Sequence, residues 1–61
     1  MEIKVTWNKL TEAEREQAIN SYADIRSNEE GEPYSIERAR EMAPYCRAFY
    51  RDDTGYIWVV I

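Results

Sequence analysis

The last sixteen residues, Cys46-Arg-Ala-Phe-Tyr-Arg-Asp-Asp-Thr-Gly-Tyr-Ile-Trp-Val-Val-Ile61, constrain the fold more than any other stretch. Asp52-Asp53-Thr54-Gly55 separates two runs rich in β-branched and aromatic side chains. That is the composition of a β-hairpin whose turn closes on a glycine free to take positive φ. The loop allows either a four-residue closure or a type I turn with a bulge, and the choice decides which side chains face outward. The second arm, Tyr56 to Ile61, carries no charged side chain on either face. A strand apolar on both faces belongs inside a sheet, or needs a cover from another molecule. The arm is therefore expected at the sheet centre, between the Cys46–Arg51 arm and the N-terminal strand.

That N-terminal strand is announced by alternation. In Glu2-Ile-Lys-Val-Thr-Trp7, the residues Ile3, Val5 and Trp7 share one face and Glu2, Lys4 and Thr6 the other. Thr11-Glu-Ala-Glu14 reads as a capping box. Glu12, Glu14 and Glu16 add negative charge at the positive end of the helix dipole. A helix is predicted from about Glu12 to about Asn28, with Ala18, Ile19, Tyr22, Ala23 and Ile25 on its apolar stripe. Arg15 and Arg26 fall within that stripe and are expected to lay their methylenes along the core edge. Gly31 and Pro33 break the helix. Ser35 caps a second helix of about Ile36 to Met42, with Ile36, Ala39 and Ala43 inward and Pro44 as its stop.

The order strand–helix–helix–strand–strand predicts an α+β fold: a three-stranded sheet with two helices packed on one face. The direction of the first strand is left open by the sequence. A chain of 61 residues makes a single domain, residues 1–61, near the lower limit of what folds without staples. Its 44% hydrophobic content and eight aromatic residues predict an ordered core rather than disorder. Cys46 is the only cysteine, so no internal disulfide is available and a shielded thiol in a reducing cytoplasm is expected. No apolar run is long enough for a membrane span, and Met1-Glu2-Ile3-Lys4 does not read as a secretory leader.

Catalytic chemistry is not expected. There is no histidine, which removes the commonest general base, nucleophile activator and metal ligand. Cys46 lacks a CxxC companion, and neither glycine lies in a phosphate-binding pattern. Asp52-Asp53 reads as turn chemistry, and Glu29-Glu-Gly-Glu32 lacks the ligand spacing of a calcium loop. Neither a cofactor nor a metal is expected, and no enzyme activity.

What remains points to binding. The formal net charge is −4, all of it in residues 1–35, which carry eight acids and four bases; residues 36–61 carry four of each. The plain structural account is helix capping and a wet loop; the functional one is an electronegative surface that meets a basic site on another protein. In the second half, Arg38, Arg40, Arg47 and Arg51 lie among Tyr34, Tyr45, Phe49, Tyr50 and Trp58. Arginine with aromatic residues is what protein interfaces enrich, and what single-stranded nucleic acid stacks on. Two short helices cannot cover both sides of the sheet, so part of this apolar surface must face outward. The expected partner-binding residues are Phe49, Tyr50, Arg51, Tyr56, Trp58 and Arg47 of the hairpin, with Glu29, Glu30 and Glu32 of the acidic loop. The leading expectation is a small cytoplasmic interaction protein that antagonises a nucleic-acid-processing protein by covering its surface. Such small acidic modulators are common in phages and mobile elements. The alternatives are a homodimeric structural module closed through the sheet faces, and a nucleic-acid-binding regulator using the hairpin arginines, which the net charge disfavours.

Overall fold

The computed structural model describes residues 1–61. Strand β1 (Ile3–Val5) leads through a 3-10 turn (Trp7–Lys9) to helix α1 (Glu12–Glu30). Helix α2 (Ile36–Met42), a second 3-10 turn (Ala43–Tyr45) and strands β2 (Ala48–Arg51) and β3 (Ile57–Val60) complete the chain. The β-α-α-β-β order and the three-stranded sheet are as expected. β1 pairs antiparallel with β2, which settles the direction left open above.

Local chemistry sets the helix ends. Thr11 Oγ1 accepts the Glu14 N–H at 3.1 Å while Glu14 Oε1 accepts the Thr11 N–H at 2.9 Å, closing the capping box. Gly31 caps the far end at φ 73°, its N–H donating to the Ser27 carbonyl at 2.9 Å. α1 thus runs to Glu30, two residues beyond the predicted end. Replacing Thr11 by alanine removes one side of the box. It is expected to cost about 1 kcal/mol, a fall in Tm of about 4–8 °C in a thermal melt followed by circular dichroism.

α2 is capped by the Ser35 hydroxyl as expected. Pro44 acts differently from the expectation. Ala43 keeps helical angles, φ −54° and ψ −38°, and the chain tightens into the 3-10 turn instead of leaving the helical region. Proline has no N–H to continue the α pattern, so the change of hydrogen bonding, not a steric ban on Ala43, ends α2.

One buried cluster, Ile19, Tyr22, Ala23, Ala39 and Ala43, joins α1 to α2. A second, Leu10, Ala18, Phe49 and Ile57, joins α1 to the sheet. Both draw on the stripe expected for α1, and Ile25 is half-buried at its margin. Arg15 and Arg26 do lie along the core edge, over the rings of Trp7 and Tyr22 at 5.6 and 5.4 Å. One inward assignment is corrected: Ile36 is 44% exposed because α2 meets α1 through its alanines. Ile3 shares the face of Val5 as expected but is 59% exposed at the end of a short edge strand.

The sheet order is also corrected. β2, not β3, is central: the order is β1-β2-β3, and β3 is an edge strand. The charge that Arg51 brings to the central strand is neutralised from the helix layer. Arg51 Nε and Nη2 donate to Glu14 Oε2 and Oε1 at 2.6 and 2.8 Å, a bidentate pair between β2 and the first turn of α1. A central strand can carry an arginine when the layer above it supplies the carboxylate.

Candidate functional site

The hairpin turn decides which residues are wet. The Gly55 N–H donates to the Asp52 carbonyl at 3.0 Å, the Asp52 N–H to the Tyr56 carbonyl at 3.1 Å, and Gly55 sits at φ 86°. This is the turn-plus-bulge alternative. The resulting register pairs Lys4 with Tyr50 and Tyr50 with Trp58. Residues opposite one another share a face, so these three form one row across the sheet. The neighbouring row, Phe49 with Val5 and Val59, faces α1 and the core. Both helices lie on that core side. The outer face carries Lys4, Tyr50, Trp58, Ala48 and Val60; Lys4, Trp58 and Val60 are exposed, Tyr50 is half-buried and Ala48 is buried.

Asp52 organises the exposed aromatics. Its Oδ1 accepts from the Thr54 N–H at 2.9 Å, the Thr54 hydroxyl at 2.6 Å and the Tyr56 N–H at 3.0 Å. Its Oδ2 accepts the Trp58 indole N–H at 2.9 Å. The Thr54 hydroxyl first, then the indole, holds the Asp52 carboxyl at about 2, below its ordinary 3.8. The indole is thereby fixed in orientation although Trp58 is 51% exposed. Tyr56 packs edge-on against it, with centroids 5.1 Å apart and planes at 72°. The Tyr56 hydroxyl meets the Ser21 hydroxyl of α1 at 2.9 Å.

The residues singled out from the sequence separate into three groups. Tyr50, Tyr56, Trp58 and Arg47 lie on or beside the open face. Phe49 does not: it is 4% exposed, sealed in the core and packed against Trp7 at 5.5 Å, because the register turns odd residues of β2 toward α1. Arg51 also points to the helix side and is held by Glu14. Glu29, Glu30 and Glu32 belong to the end of α1 and its loop; Glu29 pairs with Arg26 at 3.2 Å, and none lines a groove with the hairpin. Cys46 is half-buried, and burial pushes its thiol up, which keeps it in the poorly nucleophilic protonated form.

Sequence reasoning missed two participants. Asp24 and Ser21 line a notch with Ile25, Tyr56, Trp58 and Val59 along the outer edge of β3. Their spacing on α1 marks a common face, but only the strand order puts β3 beside it.

Fold and site together define a small α+β domain with its helices on one side of an open three-stranded sheet and an ordered aromatic pair at the sheet edge. No helix is long and apolar enough to cross a membrane. Comparison with protein-family models, with curated proteins and with solved structures finds no match.

Proposed function

We propose that this chain is a non-enzymatic protein-binding module that acts by covering a surface of a larger protein. A role as antagonist of a nucleic-acid-processing protein suits its acidic charge, which would meet a basic site on such a target. The observation that carries the reading is the open sheet face, where Trp58 stands half-exposed yet is fixed by Asp52 and Tyr56. An aromatic ring already ordered before binding loses little side-chain entropy on contact, which is the property of an interface anchor. Tyr50 beside it and Lys4 across the row extend the contact over all three strands.

The test is affinity capture of a partner from the source cells, followed by calorimetry with Trp58→Ala and Tyr50→Ala. Each substitution lies on the open face, so both variants are expected to keep the parent's circular dichroism. Trp58→Ala is expected to weaken binding by about 2 kcal/mol or more, as anchor truncation does. Folded variants that bind as tightly as the parent overturn the reading. The same face could also close a homodimer, although two chains of net charge −4 repel. Sedimentation equilibrium separates the two: a monomer favours the antagonist, and a dimer that Trp58→Ala dissociates favours the structural module.

A further inference from the structure

We infer that the notch between α1 and the free edge of β3 is a receptor for one basic side chain, lysine or arginine, carried by an extended segment of a partner protein. This rests on the protein-binding reading above and assigns it a specific contact. Ser21, Asp24, Ile25, Tyr56, Trp58 and Val59 enclose about 150 Å³. Small-molecule sites run to about 300–1,000 Å³, so the notch suits a single side chain and not a cofactor.

Its chemistry is that of a cation site. Tyr56 and Trp58 form two walls at 72° to each other, and aromatic faces attract a cation through their quadrupole. Asp52 accepts the indole N–H at the ring edge, which fixes that wall and places a carboxylate beside it. Asp24 supplies a carboxylate on the α1 side. The chain's ion pairs are Met1 with Asp53, Arg26 with Glu29, Arg40 with Glu16 and Arg51 with Glu14, so Asp24 has no cation of its own. Ser21, already bonded to the Tyr56 hydroxyl, fixes the second wall. Ile25 and Val59 give the floor an apolar surface for the methylenes of a long basic side chain.

The backbone beside the notch can hold the segment that brings this side chain. The Asp52 N–H donates to the Tyr56 carbonyl, so the alternation of an antiparallel ladder turns the backbone N–H and carbonyl groups of Trp58 and Val60 toward β2 and those of Ile57 and Val59 toward the free edge. Gln17 Oε1 takes the outward Ile57 N–H at 3.3 Å and closes that end of the edge. The Val59 N–H and carbonyl lie beyond this plug, where an added strand would pair. The net charge of −4 disfavours a second copy of the chain as occupant and favours a basic segment.

Nuclear magnetic resonance titration of the full chain tests the assignment with two blocked five-residue peptides, Val-Thr-Arg-Thr-Val and the same peptide with citrulline at its centre. Citrulline keeps the shape of arginine and removes its charge. The arginine peptide is expected to shift the Trp58 indole N–H and the amides of Ser21, Asp24 and Val59 saturably. The citrulline peptide is expected to bind about 5- to 10-fold more weakly, the range of an exposed cation–π contact joined to one ion pair. Asp24→Asn should reduce the arginine peptide's affinity and narrow its preference over citrulline to the about 2- to 5-fold that a cation–π contact alone supplies, without altering the fold. Equal binding of the two peptides, an unaffected Asp24→Asn, or shifts confined to Lys4 and Tyr50 overturn it. So does a single-stranded oligothymidylate that shifts Trp58 while the arginine peptide does not. If Asp24→Asn leaves a captured partner bound while Tyr50→Ala and Trp58→Ala release it, the notch assignment fails and the protein-binding reading stands. If none of the three changes capture, both fail.

Discussion

Replacing Ile57 by alanine is expected to lower the unfolding free energy by about 2–5 kcal/mol, the range for deleting a fully buried branched side chain. Ile57 is the one large side chain with no exposed surface, 0%, and it sits where β3, β2 and α1 meet. Its neighbours Leu10, Ala18 and Phe49 come from three different segments, so relaxation into the void would have to move a loop, a helix and a strand together. Domains of this size draw about 3–5 kcal/mol from a single core. The loss is therefore comparable with the whole stability, and Ile57→Ala should show a large unfolded fraction in water at 25 °C. Ile57→Val removes one methylene and is expected to cost about 0.5–1.5 kcal/mol, leaving a folded protein on which the trend can be measured. Urea denaturation followed by far-ultraviolet circular dichroism reads both. A loss below about 1 kcal/mol for Ile57→Ala would mean that β3 is not anchored through this side chain.

The contrast between Ile57 and its neighbour Trp58 shows how far the sequence could be read. Elements whose limits depend on local chemistry were legible: the Thr11–Glu14 box, the glycine stop at Gly31, the Ser35 cap and the Asp52–Gly55 turn all formed where the residues indicated. Strand order was not, because it depends on a contact across 37 residues. The apolar run of β3 argued for the sheet centre, yet Arg51 makes β2 tolerable there only once Glu14 is known to lie above it. The same gap hid the candidate site. Trp58 and Tyr56 were visible as exposed aromatics in waiting, but Ser21 and Asp24 acquire a role only when β3 is an edge strand alongside α1. Phe49 was misplaced for a related reason. Adjacent strand residues point to opposite faces, so a choice between Phe49 and Tyr50 needs the turn register.

Lowering the pH is expected to unfold the protein through two carboxylates, and the two can be told apart by salt. Glu14 is held at about 2, below its ordinary 4.5, first by the hydrogen bonds from Arg51 and then by the capping N–H of Thr11. Asp52 is held at about 2, below its ordinary 3.8, by Thr54 and Trp58. A carboxyl whose pKa is depressed by folding binds protons more readily in the unfolded chain. Its contribution is therefore complete above the ordinary value and is lost as pH falls toward the depressed one. The expected window runs from about 4.5 down to about 2. Glu14→Gln keeps an amide oxygen for the Thr11 N–H but removes the charge facing Arg51. It should lower stability at pH 7 and flatten the acid limb. Asp52→Asn can still accept from Thr54 and Tyr56, but an amide nitrogen cannot accept the indole N–H. It should flatten the lower part of the limb and release Trp58, seen as a change in its fluorescence. The partner of Glu14 is a cation at a partly exposed site, whereas the donors to Asp52 are all neutral. Added salt, about 1 M, should therefore weaken the Glu14 contribution by screening and leave that of Asp52 nearly unchanged. An acid transition that keeps its position and steepness in the double variant would show that neither contact links protonation to folding.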